Sequence, residues 1–216
     1  VFINLVNMVA VAMNRAWVPQ FTRAYEDETQ KPFVARSITY FLLAVGGISV
    51  VLILLSPPLI TGFFEARYAE AATIAPILAA GGLFQGIYYI YVAGLFYFKK
   101  NMLIPIITII SGTVNVGLNL LWIPEFGLAG AAWATVIGYT ILAIGVRWGC
   151  RRHTHLPFEH GRLIRLVIVL VLLAGPGHML TGELDLWMEI AAKAGLILCG
   201  PLALLAVGFW QADEIA

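Results

Sequence analysis

Thr108, Ser111, Asn115 and Asn119 follow one another at steps of three, four and four residues within a stretch otherwise apolar from Met102 to Pro124. That spacing holds one face of a helix. Polar groups at bilayer depth are costly and turn toward protein or a water-filled cavity. The stripe is therefore read in two ways: as hydrogen-bonding glue between helices, or as the wall of a hydrophilic cavity that receives a polar head group. Asn4, Asn7 and Asn14 repeat the pattern near the start of the chain and lead into Arg15. An arginine there either snorkels to the head groups or turns inward, where its planar fork suits a phosphate. Gln85, flanked by Gly81, Gly82 and Gly86, is a further candidate of the same kind.

The elements that carry these residues are membrane spans. Hydrophobic residues make up 61% of the 216 and charged ones 12%, against about 25% charged in an ordinary soluble domain. Seven apolar stretches read as spans: Val1–Pro19, Ser37–Ser56, Ala71–Phe98, Met102–Pro124, Leu128–Trp148, Leu163–Leu180 and Trp187–Trp210. Twenty helical residues rise roughly 30 Å, the thickness of the hydrocarbon core. The runs are continuous, unlike the alternating strands of a membrane barrel. The expected fold is thus an all-α polytopic membrane protein. Pro57-Pro58 is expected to end the second span, with a short helix at the interface over Leu59–Ala75 and a solvated helical linker over Gln20–Arg36.

If the first span runs from outside to inside, eleven of the thirteen Lys and Arg residues fall on the inner side, and only Arg67 and Lys193 stay outside. The positive-inside rule favours that orientation, with the N-terminus outside and the C-terminus cytoplasmic. Three segments follow: residues 1–148 hold five spans, 149–162 form a basic cytoplasmic loop, and 163–216 hold two terminal spans and a short tail. The basic loop is read as topology and attraction to anionic lipid rather than nucleic-acid binding. An opening at Val1 directly inside an apolar run, without a basic flank, predicts a fragment whose N-terminal portion is missing.

No catalytic constellation emerges, so no enzyme activity and no cofactor are expected. His153, His155, Glu159 and His160 would make an open metal site without cysteine ligands, and none is assigned. Cys150 and Cys199 are expected to form no disulfide. Glu189 and Lys193 stand at i and i+4 with the acid first, the favourable order for a local pair, and no intramembrane acid suited to ion coupling is recognised. Gly127, Gly130, Ala131, Ala132, Ala134 and Gly138 give one span a smooth face for close packing.

The most specific stretch runs from Ser111 to Tyr139: SGTVNVGLNLLWIPEFGLAGAAWATVIGY. Its Asn-x3-Asn span (Asn115, Asn119) ends in Leu-Leu-Trp-Ile-Pro124. A Phe-Gly-Leu-x-Gly-Ala-Ala-x-Ala-Thr turn through Gly127 and Gly130 then enters the next span. This resembles the polysaccharide-exporter (O-antigen flippase) family. Arg67-Tyr68-Ala69-Glu70-Ala71-Ala72 resembles that family's outer segment, and Arg15-Ala16-Trp17-Val18-Pro19 the inner end of a span. The specific signal covers about residues 60–145.

The resemblance implies membership of the multidrug/oligosaccharidyl-lipid/polysaccharide exporter superfamily, two helix bundles around a central cavity, with these seven spans as the second half. It implies alternating-access flipping of a polyprenyl-pyrophosphate-linked oligosaccharide across a bacterial or archaeal cytoplasmic membrane. Arg15 would meet pyrophosphate, and Asn115, Asn119 and Gln85 sugar hydroxyls, with Asn7, Asn14, Thr108 and Ser111 completing the cavity. The implied partners are the lipid-linked substrate, membrane lipids, the missing N-terminal half, and a polymerase and glycosyltransferases of the pathway. Two rival readings stand beside it: a cation or multidrug exporter of the same superfamily, and a non-transport assembly subunit of a glycan pathway.

Overall fold

The computed structural model describes residues 31–151, 158–179 and 185–210, together with Met8, Val11, Ala12, Arg15 and Thr29. The stretch read as the first span, with Asn7 and Asn14, lies largely outside these. Among the described residues, five helices are long and apolar enough to cross a membrane: α1 (Lys31–Phe63), α2 (Ala69–Tyr97), α3 (Leu103–Arg151), α4 (His160–Met179) and α5 (Leu186–Ala206). A 3-10 turn, Ala66–Tyr68, joins α1 to α2.

Helix α3 has 49 residues and would measure about 73 Å if straight, more than twice the hydrocarbon core. It doubles back instead. Gly127 leaves helical geometry with φ 57 and ψ −138, a region that side chains with a Cβ rarely enter. Close approaches then step outward in register on the two limbs: Gly130 meets Trp122, Gly138 meets Asn115, Gly145 meets Ile107 and Gly149 meets Leu103. An antiparallel hairpin of limbs 103–126 and 128–151 results, matching the two spans expected there with no loop between them. Gly130 is a steric requirement, because a Cβ there would stand 2.6 Å from the Trp122 carbonyl oxygen.

The helices pack side by side. Gly81 of α2 abuts Val136 and Tyr139 of the second limb, and Val92 and Leu95 bury against Val146 and Cys150, so α2 and that limb run parallel. On its other side, Gly86 of α2 receives Val45 of α1. Ile90 and Ala93 cluster there with Val34, Ile38 and Phe41. Beyond α1 lie α4 and α5: Leu170 fits over Gly46, Gly177 meets Leu54, and Leu186 sits on Gly62. Small residues set these contacts because no hydrophobic gradient drives helix association within lipid.

Two expectations need correction. The second span does not end at Pro57-Pro58, since α1 continues through both to Phe63. Stopping at bilayer depth would bare more backbone than two missing N–H donors do, so the helix runs on until water is available. The Thr61 hydroxyl donates to the Pro57 carbonyl at 3.0 Å within the affected turn. The interfacial helix expected over Leu59–Ala75 is likewise absorbed: its start belongs to α1, its end to α2, and a short turn remains between.

Packing direction sorts the charges. The ends of the helices that carry Lys31, Arg36, Lys99, Lys100, Arg147, Arg151, Arg162 and Arg165 lie together. The opposite end carries Glu65, Glu70, Glu125, Asp185 and Glu189, with Arg67 and Lys193 as its described cations.

Candidate functional site

The polar stripe of the first α3 limb divides between two jobs. Ser111 is buried and donates to the Gly138 carbonyl oxygen at 2.6 Å, joining the limbs. Asn115 lies over the same glycine. Asn119 donates from Nδ2 to Asn115 Oδ1 at 3.0 Å, an i, i+4 bond along the helix. Thr108 is exposed and bonds its own backbone at the Ile104 carbonyl, as hydroxyls do when no other partner is near.

What remains is acceptor capacity. The Oδ1 of Asn119 is buried without a hydrogen-bond partner, and so are the Oε1 of Gln85 on α2 and the hydroxyls of Ser49 and Ser56 on α1. Buried orphan acceptors are rare and call for an explanation such as water or a ligand. Beside Asn119 a shallow cleft of about 280 Å3 opens between Val116, Leu120, Ile123 and Pro124. Near Gln85 stand Tyr88 and Tyr89, whose rings meet edge to face at 5.3 Å, and Tyr139, which packs on Gly81. The structure thus brings Ser111, Asn115 and Asn119 together, and sets Gln85 on a neighbouring helix. Arg15 is exposed on helical backbone; Asn7 and Asn14 lie outside the described residues.

No family model matches the chain. It is similar, at 25% identity over 170 residues, to an uncharacterized membrane protein of Methanocaldococcus jannaschii. That match takes in 77% of this chain and 34% of the archaeal protein, so the chain spans about a third of the length of the curated relative it matches. The chain is a helical membrane protein. Its candidate site is accordingly a set of groups carried on candidate membrane spans, and an unsatisfied polar atom in hydrocarbon weighs more than it would in water.

Two charged groupings in this membrane protein are more deeply buried than its sequence indicates. Lys193 is fully buried and donates to Glu189 Oε1 at 2.6 Å, with Glu189 5% exposed. The pair is as expected from the i, i+4 spacing, but its burial is not: Glu189 is a buried acid within a span, where the sequence offers no sign of one. At the basic end, Thr39 donates to Glu159 Oε2 at 2.7 Å, and Arg162 Nη1 reaches both Glu159 oxygens at 3.1 and 3.2 Å. The Arg162 guanidinium lies over Phe209 at 4.8 Å and Tyr40 at 5.6 Å. This knot ties α1, the start of α4 and the segment after α5. The spacing i, i+3 was visible in sequence, but Arg162 was counted there only as one inner-side charge. Among the described residues no grouping of three or more His, Cys, Asp or Glu could hold a metal; His153 and His155 lie outside them.

Proposed function

We propose that this chain belongs to the polysaccharide-exporter family and contributes one of two helix bundles to a flippase. The reading is that it moves a polyprenyl-pyrophosphate-linked oligosaccharide between leaflets by alternating access, in a cytoplasmic membrane with the basic end facing the cytoplasm. The observation that carries this reading is the orphaned amide acceptors, Asn119 Oδ1 and Gln85 Oε1, on two candidate spans. Sugar hydroxyls are donors that would satisfy both, whereas lipid tails offer none. The resemblance over Ser111–Tyr139 supports it too, because its glycines fall where the α3 hairpin turns at Gly127 and closes at Gly130. Arg15 would then meet the pyrophosphate, with Asn7 and Asn14 on the same cavity wall. Pathway polymerase and glycosyltransferases would be its neighbours.

The deciding experiment deletes the gene encoding this chain and identifies the lipid-linked sugars that build up on the inner leaflet. Accumulation of one polyprenyl-linked oligosaccharide with loss of a surface polymer is the expected result. Unchanged surface glycan would end the reading.

One observation favours a second reading, a cation-coupled exporter of the same superfamily. The buried Glu189 supplies an acid within a span, and such residues mark ion pathways. New sensitivity to cationic drugs in the deletion strain, with normal glycan, would select it.

A further inference from the structure

Helix α2 ends on a lysine in a conformation that lysine does not favour. Lys99 has φ 56, the left-handed region in which a Cβ crowds the following carbonyl. Glycine or asparagine ordinarily takes this position after a helix. The turn is otherwise well formed: Phe98 N–H donates to Gly94 O, Lys99 N–H to Phe96 O and Lys100 N–H to Leu95 O, at 2.9 to 3.1 Å. Limb 103–126 then begins at once, with Leu103 N–H donating to Lys100 O. A charge is thus kept where a glycine would fit better, and both lysines stand exposed.

The end of the second α3 limb lies against this turn. Cys150 and Val146 bury against Leu95 and Val92, and Gly149 approaches Leu103 and Leu95. Arg151 therefore ends beside this turn, with Arg147 one helical turn earlier and near Tyr91, and both arginines are exposed. Among the described residues no carboxylate pairs with any of the four. Trp148, also exposed, belongs to the same helix end, and an indole prefers the head-group layer.

We infer that this junction of α2 with both ends of α3 is a binding site for the phosphate of an anionic phospholipid head group. Four exposed cations without a carboxylate partner among the described residues stand at the adjoining ends of these candidate spans, and a lipid phosphate lies where spans leave hydrocarbon. The tight turn holds two of them in place rather than on a loose loop. Arginines at i and i+4 can each fork onto phosphate oxygens, and basic pockets between spans select anionic head groups. The inference rests on the chain being a membrane protein and is independent of flipping.

The test titrates the purified full chain with phosphatidylglycerol and with phosphatidylcholine, counting retained lipids by native mass spectrometry and following thermal melting. Selective retention of phosphatidylglycerol is expected. Lys100→Ala, Arg147→Ala and Arg151→Ala should each weaken it about fivefold, the effect of one charge near a lipid surface. Lys99→Gly should weaken lipid binding by the same factor while raising the melting temperature, since it removes the charge and relieves the backbone together. Lys99→Asn tolerates the left-handed turn and lacks the charge, so it should match Lys99→Gly in binding. Equal retention of the two lipids, or undiminished binding in Lys99→Gly, would overturn the site. A lower melting temperature in Lys99→Gly would overturn its backbone argument. Displacement of the lipid by millimolar inorganic phosphate would make a free anion the ligand instead.

Discussion

Ser111 and Gly138, 27 residues apart, are joined by a hydroxyl-to-carbonyl hydrogen bond of 2.6 Å across the α3 hairpin. The serine is thus committed to holding the limbs together. Interhelical hydrogen bonds of this kind average about 0.6 kcal/mol in a bilayer. Ser111→Ala should therefore lower stability by about that amount and leave any transport intact. Asn119→Leu should do the reverse, with little change in melting and loss of transport. Cysteines placed at 111 and 119 report the same division: water-soluble maleimide should label the second and spare the first.

The hairpin makes a sharp prediction about three glycines. Gly127→Ala forces a Cβ into positive φ and should cost about 1–3 kcal/mol. Gly130→Ala pushes a methyl into the Trp122 carbonyl and should cost about as much. At Gly138 an added Cβ would make ordinary contacts of 3.5 to 3.6 Å, so alanine there should gain about 0.5–1 kcal/mol through helix propensity. Thermal unfolding of the three variants side by side measures the order.

The buried pair of Glu189 and Lys193 should be strongly non-additive. Glu189→Gln strands the fully buried Lys193 charge, and Lys193→Met strands the carboxylate; each should cost about 3–5 kcal/mol. The double variant removes both charges and should recover most of that loss. A double-mutant cycle read by unfolding in detergent checks it, and additive single effects would show that the two charges do not depend on each other.

Arg162 is predicted not to tolerate lysine. The planar guanidinium lies over Phe209 and Tyr40 while bonding Glu159, and an ammonium cannot stack and bond in the same way. Arg162→Lys should lower stability by about 1–2 kcal/mol. It should also speed proteolysis of the segment after α5, which Phe209 anchors in the core formed with Leu166, Val169 and Leu204.

Much of this architecture was legible in the sequence, because lipid imposes a long apolar run on every span. The limits of α4 and α5, and the reversal between Pro124 and Leu128, lie within a few residues of those expected. Pro57-Pro58 misled, since proline signals a helix end in water, whereas bilayer depth penalises the open backbone that an end would create. The site was less legible. Spacing placed Ser111, Asn115 and Asn119 on one face, but spacing cannot tell an oxygen turned toward Gly138 from one left without a donor. Burial of Lys193 was invisible for a similar reason: an i, i+4 pair reads alike on a wet surface and in a packed core, and only the neighbouring helices decide.

The reversal at Gly127 also bears on how the chain enters its membrane. With one non-helical residue between the limbs, the ribosome delivers the second limb before the first has any loop by which to be held outside. Insertion should therefore proceed limb by limb only up to residue 126, then conclude as a paired event. A chain truncated and released after residue 126 should leave its last limb open to protease, while one released after Arg151 should protect both limbs.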